Sequence, residues 1–177
     1  QMHQGQWYRY LGRRLGEITV GITGVGRIGI CVLKKLKAFG TSKILVNDIE
    51  PNIELDSEFK LEWTSKEKIY EEADIISLHL PLTRLTKNMI RKEHLITLKP
   101  DAVIINTSRG SIINEHDLYL VMHSGHLSGA AIDVFEKEPY DGPLKEIERC
   151  LLTAHMGSMS VDCRTRMEIE ATEETVR

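Results

Sequence analysis

Cysteine, long apolar runs and charge of one sign are all scarce here, and each scarcity excludes something. Cys31, Cys150 and Cys163 are scattered, odd in number and without CxxC spacing. Neither a disulfide framework nor a metal site is expected; reduced thiols in a cytoplasmic compartment are. No apolar run approaches the ~20 residues of a membrane span, and no signal-peptide pattern opens the chain, so no membrane partner is expected. The formal net charge of the 177 residues is −3, and no lysine or arginine stripe stands out, which argues against a nucleic-acid partner. There is no internal repeat and no low-complexity tract. The length suits one ordinary domain with a substantial core. Because the chain opens on Gln1 and ends at Arg177 inside a helical pattern, it reads as a piece of something longer.

What is present is organised around Val20–Gly40, VGITGVGRIGICVLKKLKAFG. A short apolar run (Val20, Gly21, Ile22) meets Gly24, Gly26 and Gly29, and Ile30, Leu33, Leu36 and Phe39 then recur at helical spacing. This is the order strand, glycine turn, helix. Gly24 suits a tight turn, Gly26 the close approach of a pyrophosphate to the backbone, and Gly29 the packing of helix on strand. A second apolar run, Ile44–Val46, ends at Asn47-Asp48, where an acidic side chain would hold a ribose hydroxyl of NAD. The competing reading is a glycine-rich turn that only packs.

The rest of the chain alternates. Gln1–Glu17 carries Trp7, Tyr8, Tyr10, Leu11 and Leu15 among arginines, and should pack either as a helix on its own sheet or on a second subunit. Glu50–Phe59 reads as a loop, and Thr64–Glu72 as a helix capped by Thr64 or Ser65. Asp74–Pro81 is a buried strand, Leu85–Leu98 is helical in part, and Ala102–Asn106 is a strand followed by the turn Thr107–Gly110. Glu115–Ser124 is a helix capped by Asn114, Ala130–Val134 and Cys150–Thr153 are strands, and Ser160–Thr175 is a charged helix. Strands alternating with helices predict an α/β fold, a doubly wound parallel sheet of Rossmann type.

Ligands of such sheets sit beyond the carboxyl ends of the strands. Arg109, Asp133, Glu138 and His155 fall there, and His79 ends a strand as well. Arginine can grip a carboxylate with two parallel bonds, and a histidine beside a glutamate is held in orientation with its charged form stabilised. The plain alternative is ordinary strand-end polarity, with Arg109 and Glu138 as a structural ion pair.

The segments GITGVGRIG, SLHLPLT, INTSRGSIIN, GAAIDVFEKEP and LLTAHMGS stand in the same order as in the D-isomer-specific 2-hydroxyacid dehydrogenases, and the chain resembles that family from about Trp7 to about Arg166. The resemblance implies that Arg109 binds the substrate carboxylate, His155 gives and takes the proton, and Glu138 is its paired acid. It places Thr107, Ser108 and Asp133 beside the nicotinamide, Gly157 and Ser158 at the cofactor, Arg27 and Ile28 along the pyrophosphate, and Leu80 and Pro81 against the adenine. His79 is structural in that reading. The implied cofactor is NAD, the implied substrate a 2-oxo or D-2-hydroxy acid, and the implied assembly a homodimer burying the aromatic N-terminal segment and part of the helix near Leu118–Met122.

The sequence departs from the family in two places. Ala154 stands where the family usually has proline, which leaves the backbone before His155 freer. The family's substrate domain is built mostly from residues upstream of the glycine motif, and here only residues 1–17, resembling a connecting segment, precede it; 18–158 would be the cofactor domain and 159–177 a helix leading back towards the substrate domain. The function expected is NAD-dependent interconversion of a 2-oxo acid and a D-2-hydroxy acid. The alternative is a non-catalytic NAD-binding regulatory module, like the co-repressors that resemble the same family.

Overall fold

Apolar runs of three to five residues form the strands, and their alternation decides which face each side chain meets. A computed structural model describes residues 2–9 and 11–176. Its strands are β1 (Thr19–Thr23), β2 (Lys43–Asn47), β3 (Leu61–Trp63), β4 (Ile75–Leu78), β5 (Val103–Asn106), β6 (Gly129–Ile132) and β7 (Cys150–Leu152). They form one parallel sheet in the order β3-β2-β1-β4-β5-β6-β7. The chain winds outward from β1 to β3, then returns to β4 and winds the other way. The carboxyl ends are in register: Thr23 lies beside Asn47 and Leu78, and Asn106 beside Leu78 and Ile132.

Strand alternation divides the core into two clusters. On β2, Ile44 and Val46 join Val20, Ile22, Leu33 and Leu36 on one face, while Leu45 joins Ile69, Ile76, Leu78 and Leu118 on the other. Helix α1 (Arg27–Ala38) buries Gly29, Leu33 and Leu36 and leaves its lysines in water. Phe39, expected to continue that stripe, falls just past the helix and is exposed. Three further helices return the chain between strands: α3 (Lys66–Glu72), capped by the Ser65 side chain on Lys68 N–H; α4 (Lys92–Leu95); and α5 (Glu115–His123), capped by Asn114 on Asp117 N–H.

Several boundaries differ from the sequence reading. The polar stretch read as a loop over Glu50–Phe59 holds a helical turn (Ile53–Leu55) and the short helix α2 (Asp56–Phe59), and leads into β3. β3 was not foreseen because Leu61–Trp63 alternates too briefly to show a period. The strand expected to run to Pro81 stops at Leu78. Only Lys92–Leu95 of the Leu85–Leu98 stretch is helical.

The N-terminal segment does not form the helix that one of its two readings gave it. Among its described residues, helical structure is confined to turns at Met2–Gln4 and Leu15–Glu17. Trp7 is 73% exposed and Leu11 fully so, while Tyr10 lies outside the described residues. Arg13 ties this segment to the amino edge of the sheet. Its guanidinium meets Asp74 at 3.1 Å and Asp101 at 3.4 Å, and Asp74 also accepts from Thr19 N–H at 2.7 Å. On α5, Leu118, Val121 and Met122 are buried in the chain's own core. That apolar face is therefore already used, and Leu120 is what this stretch leaves exposed. The final helix, α6 (Val161–Val176), buries none of its residues.

Candidate active site at the carboxyl edge

β1 turns into α1 through a loop that requires glycine at two positions, Gly24 and Gly29. Gly24 sits at φ +93°, and a Cβ there would lie 2.3 Å from the His79 carbonyl oxygen; one on Gly29 would lie 2.3 Å from that of Gly24. Around Gly26 a Cβ would meet nothing within 4 Å, so the backbone there borders open space. Gly26 is also the cap residue of α1 and so brings no capping side chain to the helix amides. Arg27 and Ile28 are exposed in the first turn, and the buried Thr23 hydroxyl beneath the loop has no hydrogen-bond partner among the described residues. A free helix N-terminus bordered by open glycine backbone fits a pyrophosphate.

Asp48, at the end of β2, does more than the sequence suggested. One of its oxygens accepts from Val25 N–H at 2.6 Å and the other from Glu50 N–H at 3.2 Å, so it ties the glycine loop to the next strand. Each oxygen keeps a second lone pair for a ribose hydroxyl. Leu80 is half-buried against the loop, and Pro81 is exposed. His79, half-buried, hydrogen-bonds Ser77 at 2.9 Å, and burial pushes its basicity down, in keeping with a structural role.

The other half of the edge gathers the titratable residues. Past β5, the Asn106 carboxamide accepts from the Ser108 N–H and hydroxyl and donates to the Arg109 carbonyl, which fixes the turn. Thr107 and Arg109 are exposed, and the Arg109 guanidinium donates to Ser108 O at 2.6 Å. Past β6, the buried Asp133 accepts from the Thr153 hydroxyl at 2.5 Å and from Met156 N–H at 2.9 Å, while its own carbonyl accepts from His155 N–H at 2.8 Å. Asp133 thus clamps the loop that bears His155, Gly157 and Ser158.

His155 has φ +52°, a conformation costly for any residue with a side chain and concentrated at functional sites. Its Nδ1 donates to Glu138 Oε2 at 3.0 Å, so Ala154 does not prevent the expected aim. The other Glu138 oxygen accepts from Phe135 N–H at 3.0 Å. That N–H, together with His155, holds the Glu138 carboxyl below its ordinary value. Arg109, Glu138 and His155 line one open pocket of about 280 Å³ with Leu82 and Phe135. The Arg109–Glu138 ion pair of the competing reading does not form; Glu138 faces His155 and Arg109 turns to its neighbour's carbonyl. Beyond the His155–Glu138 pair lies a larger recess of about 660 Å³, whose walls include Tyr140, Leu152 and Lys145.

Two contributors escaped the sequence reading. A Cβ on Gly110 would lie 2.0 Å from the Phe135 carbonyl carbon, so the arginine turn sits directly on the peptide that begins the Glu138 loop. A glycine after Arg109 was visible, but its contact, 25 residues downstream, was not. Glu115, which read as a helix starter, accepts from Glu136 N–H at 2.5 Å.

A glycine loop opening a helix where the sheet reverses direction, with a carboxylate at the next strand end, defines a dinucleotide-binding Rossmann domain. The comparisons with known proteins narrow that class. The profile of the D-isomer specific 2-hydroxyacid dehydrogenase, NAD binding domain, matches residues 1–157, and the chain belongs to this family. It is 39% identical over 174 residues to a glyoxylate reductase of Korarchaeum cryptofilum, covering 94% of this chain and 52% of that protein. It is 35% identical to the glyoxylate reductase/hydroxypyruvate reductase of Homo sapiens, covering 90% of this chain and 49% of that protein. The D-lactate dehydrogenase of Aquifex aeolicus, solved with NAD and lactic acid, superposes with a TM-score of 0.86 at 30% identity, over 96% of this chain and 56% of that one. The chain therefore spans about half the length of the relatives it matches.

Proposed function

We propose that this chain is the cofactor half of an NAD-dependent oxidoreductase that interconverts a 2-oxo acid and a D-2-hydroxy acid. The observation that carries this is the convergence of Arg109, Glu138 and His155 on one pocket at the carboxyl edge that also bears the glycine loop. Gly24, Gly26, Arg27, Ile28 and Gly29 would hold the pyrophosphate, Asp48 the ribose, and Leu80 and Pro81 the adenine. Thr107, Ser108, Asp133, Gly157 and Ser158 would border the nicotinamide, with Asp133 acting through the loop it clamps. When bound, NAD supplies or accepts the hydride.

The protein's own part is proton transfer and positioning. Glu138 keeps the His155 proton on Nδ1, so Nε2 is the nitrogen free to donate to a ketone oxygen or accept from an alcohol. The same carboxylate stabilises the ring when it is charged. Arg109 has donors left after its bond to Ser108, enough to grip a substrate carboxylate in a bidentate pair. The regulatory alternative gains no support from the reductase and dehydrogenase names of the relatives.

On this reading residues 1–17 connect and dimerise, 18–158 form the cofactor domain, and 159–177 lead towards a substrate-binding half. The exposed Trp7, Tyr8 and Leu11, and the unburied α6, support a homodimer and a second domain. A cytoplasmic location accords with the free cysteines. The test is NADH consumption by the full-length protein with glyoxylate and hydroxypyruvate. Arg109→Ala should damage both KM and kcat, and His155→Ala mainly kcat. Turnover that survives His155→Ala unchanged would overturn the assignment.

A further inference from the structure

Glu138 is 40% exposed in its side chain and stands on an exposed loop, yet its job is to hold His155 at one angle. Something must fix that loop. Phe135 contributes by stacking on Tyr140, with ring centroids 4.1 Å apart, and Gly110 abuts the Phe135–Glu136 peptide. The bond that ties the loop to a helix is the 2.5 Å one from Glu136 N–H to the Glu115 carboxylate in the first turn of α5. Glu115 is half-buried, and burial, with Glu136 and Glu138 nearby, pushes its carboxyl above the ordinary value. A carboxylate kept there against burial and two like charges has a cost, and its acceptor role towards Glu136 is the return.

We infer that Glu115 is a positioning residue for the His155–Glu138 pair, acting through the Glu136 peptide to hold the Glu138 loop against α5. The inference rests on the acid–base reading of that pair. A neutral carbonyl oxygen also accepts from a peptide N–H, more weakly than a carboxylate does, so the role needs an acceptor at this place more than it needs a charge. The loop has a short lever. Phe135 N–H grips one oxygen of Glu138 and His155 the other, so displacing the Glu136 peptide moves both ends of the arrangement. The charged or titratable groups that face the pair are Arg109 and Glu136 from one pocket, Lys145 and Tyr140 from the other, Asp133 beneath, and Glu115 itself.

The experiment measures kcat and KM for oxo-acid reduction by the full-length protein in wild type, Glu138→Gln, Glu115→Ala and Glu115→Gln. Glu138→Gln sets the scale, lowering kcat by about 100-fold. Glu115→Ala is expected to lower kcat by about 10-fold with KM little changed, because the partner carboxylate is loosened rather than lost. Glu115→Gln, which still accepts from Glu136 N–H, should recover most of the wild-type kcat. If Glu138→Gln lowers kcat and Glu115→Ala does not, the role of Glu115 is overturned and the pairing stands. If Glu138→Gln leaves kcat unchanged, the pairing fails and the inference with it. Equal losses in Glu115→Ala and Glu115→Gln trace the effect to charge and overturn positioning. Should Glu115→Ala not fold, Glu115→Asp, too short to reach the same N–H, takes its place under the same criteria.

Discussion

Gly110→Ala should separate the turn that bears Arg109 from the loop that bears Glu138 by overpacking alone. The added Cβ would start 2.0 Å from the Phe135 carbonyl carbon, 2.1 Å from its oxygen and 2.4 Å from Glu136 N, whereas ordinary contact begins at 3.4 Å. The neighbours are all backbone, so no side chain can swing aside. Either the arginine turn or the Glu138 loop must retreat by about 1.4 Å, at an overpacking cost of about 2–3 kcal/mol. For a chain of this length that corresponds to a fall in Tm of about 4–12 °C. The loss of rate should be larger in proportion, because a shift of about 1 Å between Arg109 and the His155–Glu138 pair costs on the order of 100-fold. NADH affinity should fall far less, since the glycine loop lies across the sheet. Melting curves and cofactor titrations of this chain, with turnover of the full-length protein, check all three. A Gly110→Ala protein with wild-type Tm and turnover would show that the two loops do not bear on each other.

Asp48 should favour NAD over NADP, because on the proposed reading its carboxylate holds the ribose and none of Ile49, Glu50, Pro51 or Asn52 offers a 2′-phosphate a counter-charge; parallel titrations check this, and tighter NADP binding refutes it. Glu138 is held below its ordinary value, so it stays ionised wherever an imidazole titrates and favours the charged ring. Glu138→Gln should therefore move the pH profile of oxo-acid reduction to lower pH, and a superimposable profile would mean the side chains are uncoupled. Asp74 is buried, which opposes its ionisation, but Thr19 N–H, Lys99 and Arg13 outweigh this and hold its carboxyl low. Its contribution is therefore present above the unfolded value of about 3.9 and lost as pH falls through the folded one. Asp74→Asn should cost about 2–3 kcal/mol at neutral pH, with the gap in Tm closing in acid; a gap constant with pH contradicts the assignment.

The legible parts of this fold were those whose cause is local. The glycines of the first turn, the helical stripe through Leu33 and Leu36, and the caps Ser65 and Asn114 each act within a few residues, and all stand where the pattern put them. The strand ends Asp48, Arg109, Asp133 and His155 were found because a parallel sheet sends every carboxyl end to one edge. What was not legible depends on contacts far apart in the chain. β3 exists because Val46 and Trp63 pair across the edge of the sheet. Gly110 matters through residue 135, Glu115 through residue 136, and Asp133 through residues 153 and 156. The N-terminal aromatics misled for another reason. Apolar composition says that a segment needs a partner, and does not say that the partner lies in the same chain.

The edge of the sheet divides its labour at the point where the winding reverses. On the β1–β2 side the groups offered are backbone amides and a carboxylate, already satisfied in part by each other through Val25 and Asp48. On the β5–β7 side they are an arginine, a glutamate and a histidine, held by Asn106, Asp133 and the peptide of Phe135. Leu78 lies in register with both Thr23 and Asn106, so β4 is the element through which the two sides are aligned. The hydrogen bonds that set each side do not cross it. Substitutions at Asp48 and Gly24 should therefore act on cofactor affinity, and those at Glu138 and Glu115 on proton transfer, with little coupling between the groups. The geometry ties the two sides together only through the rigid spacing of the strands.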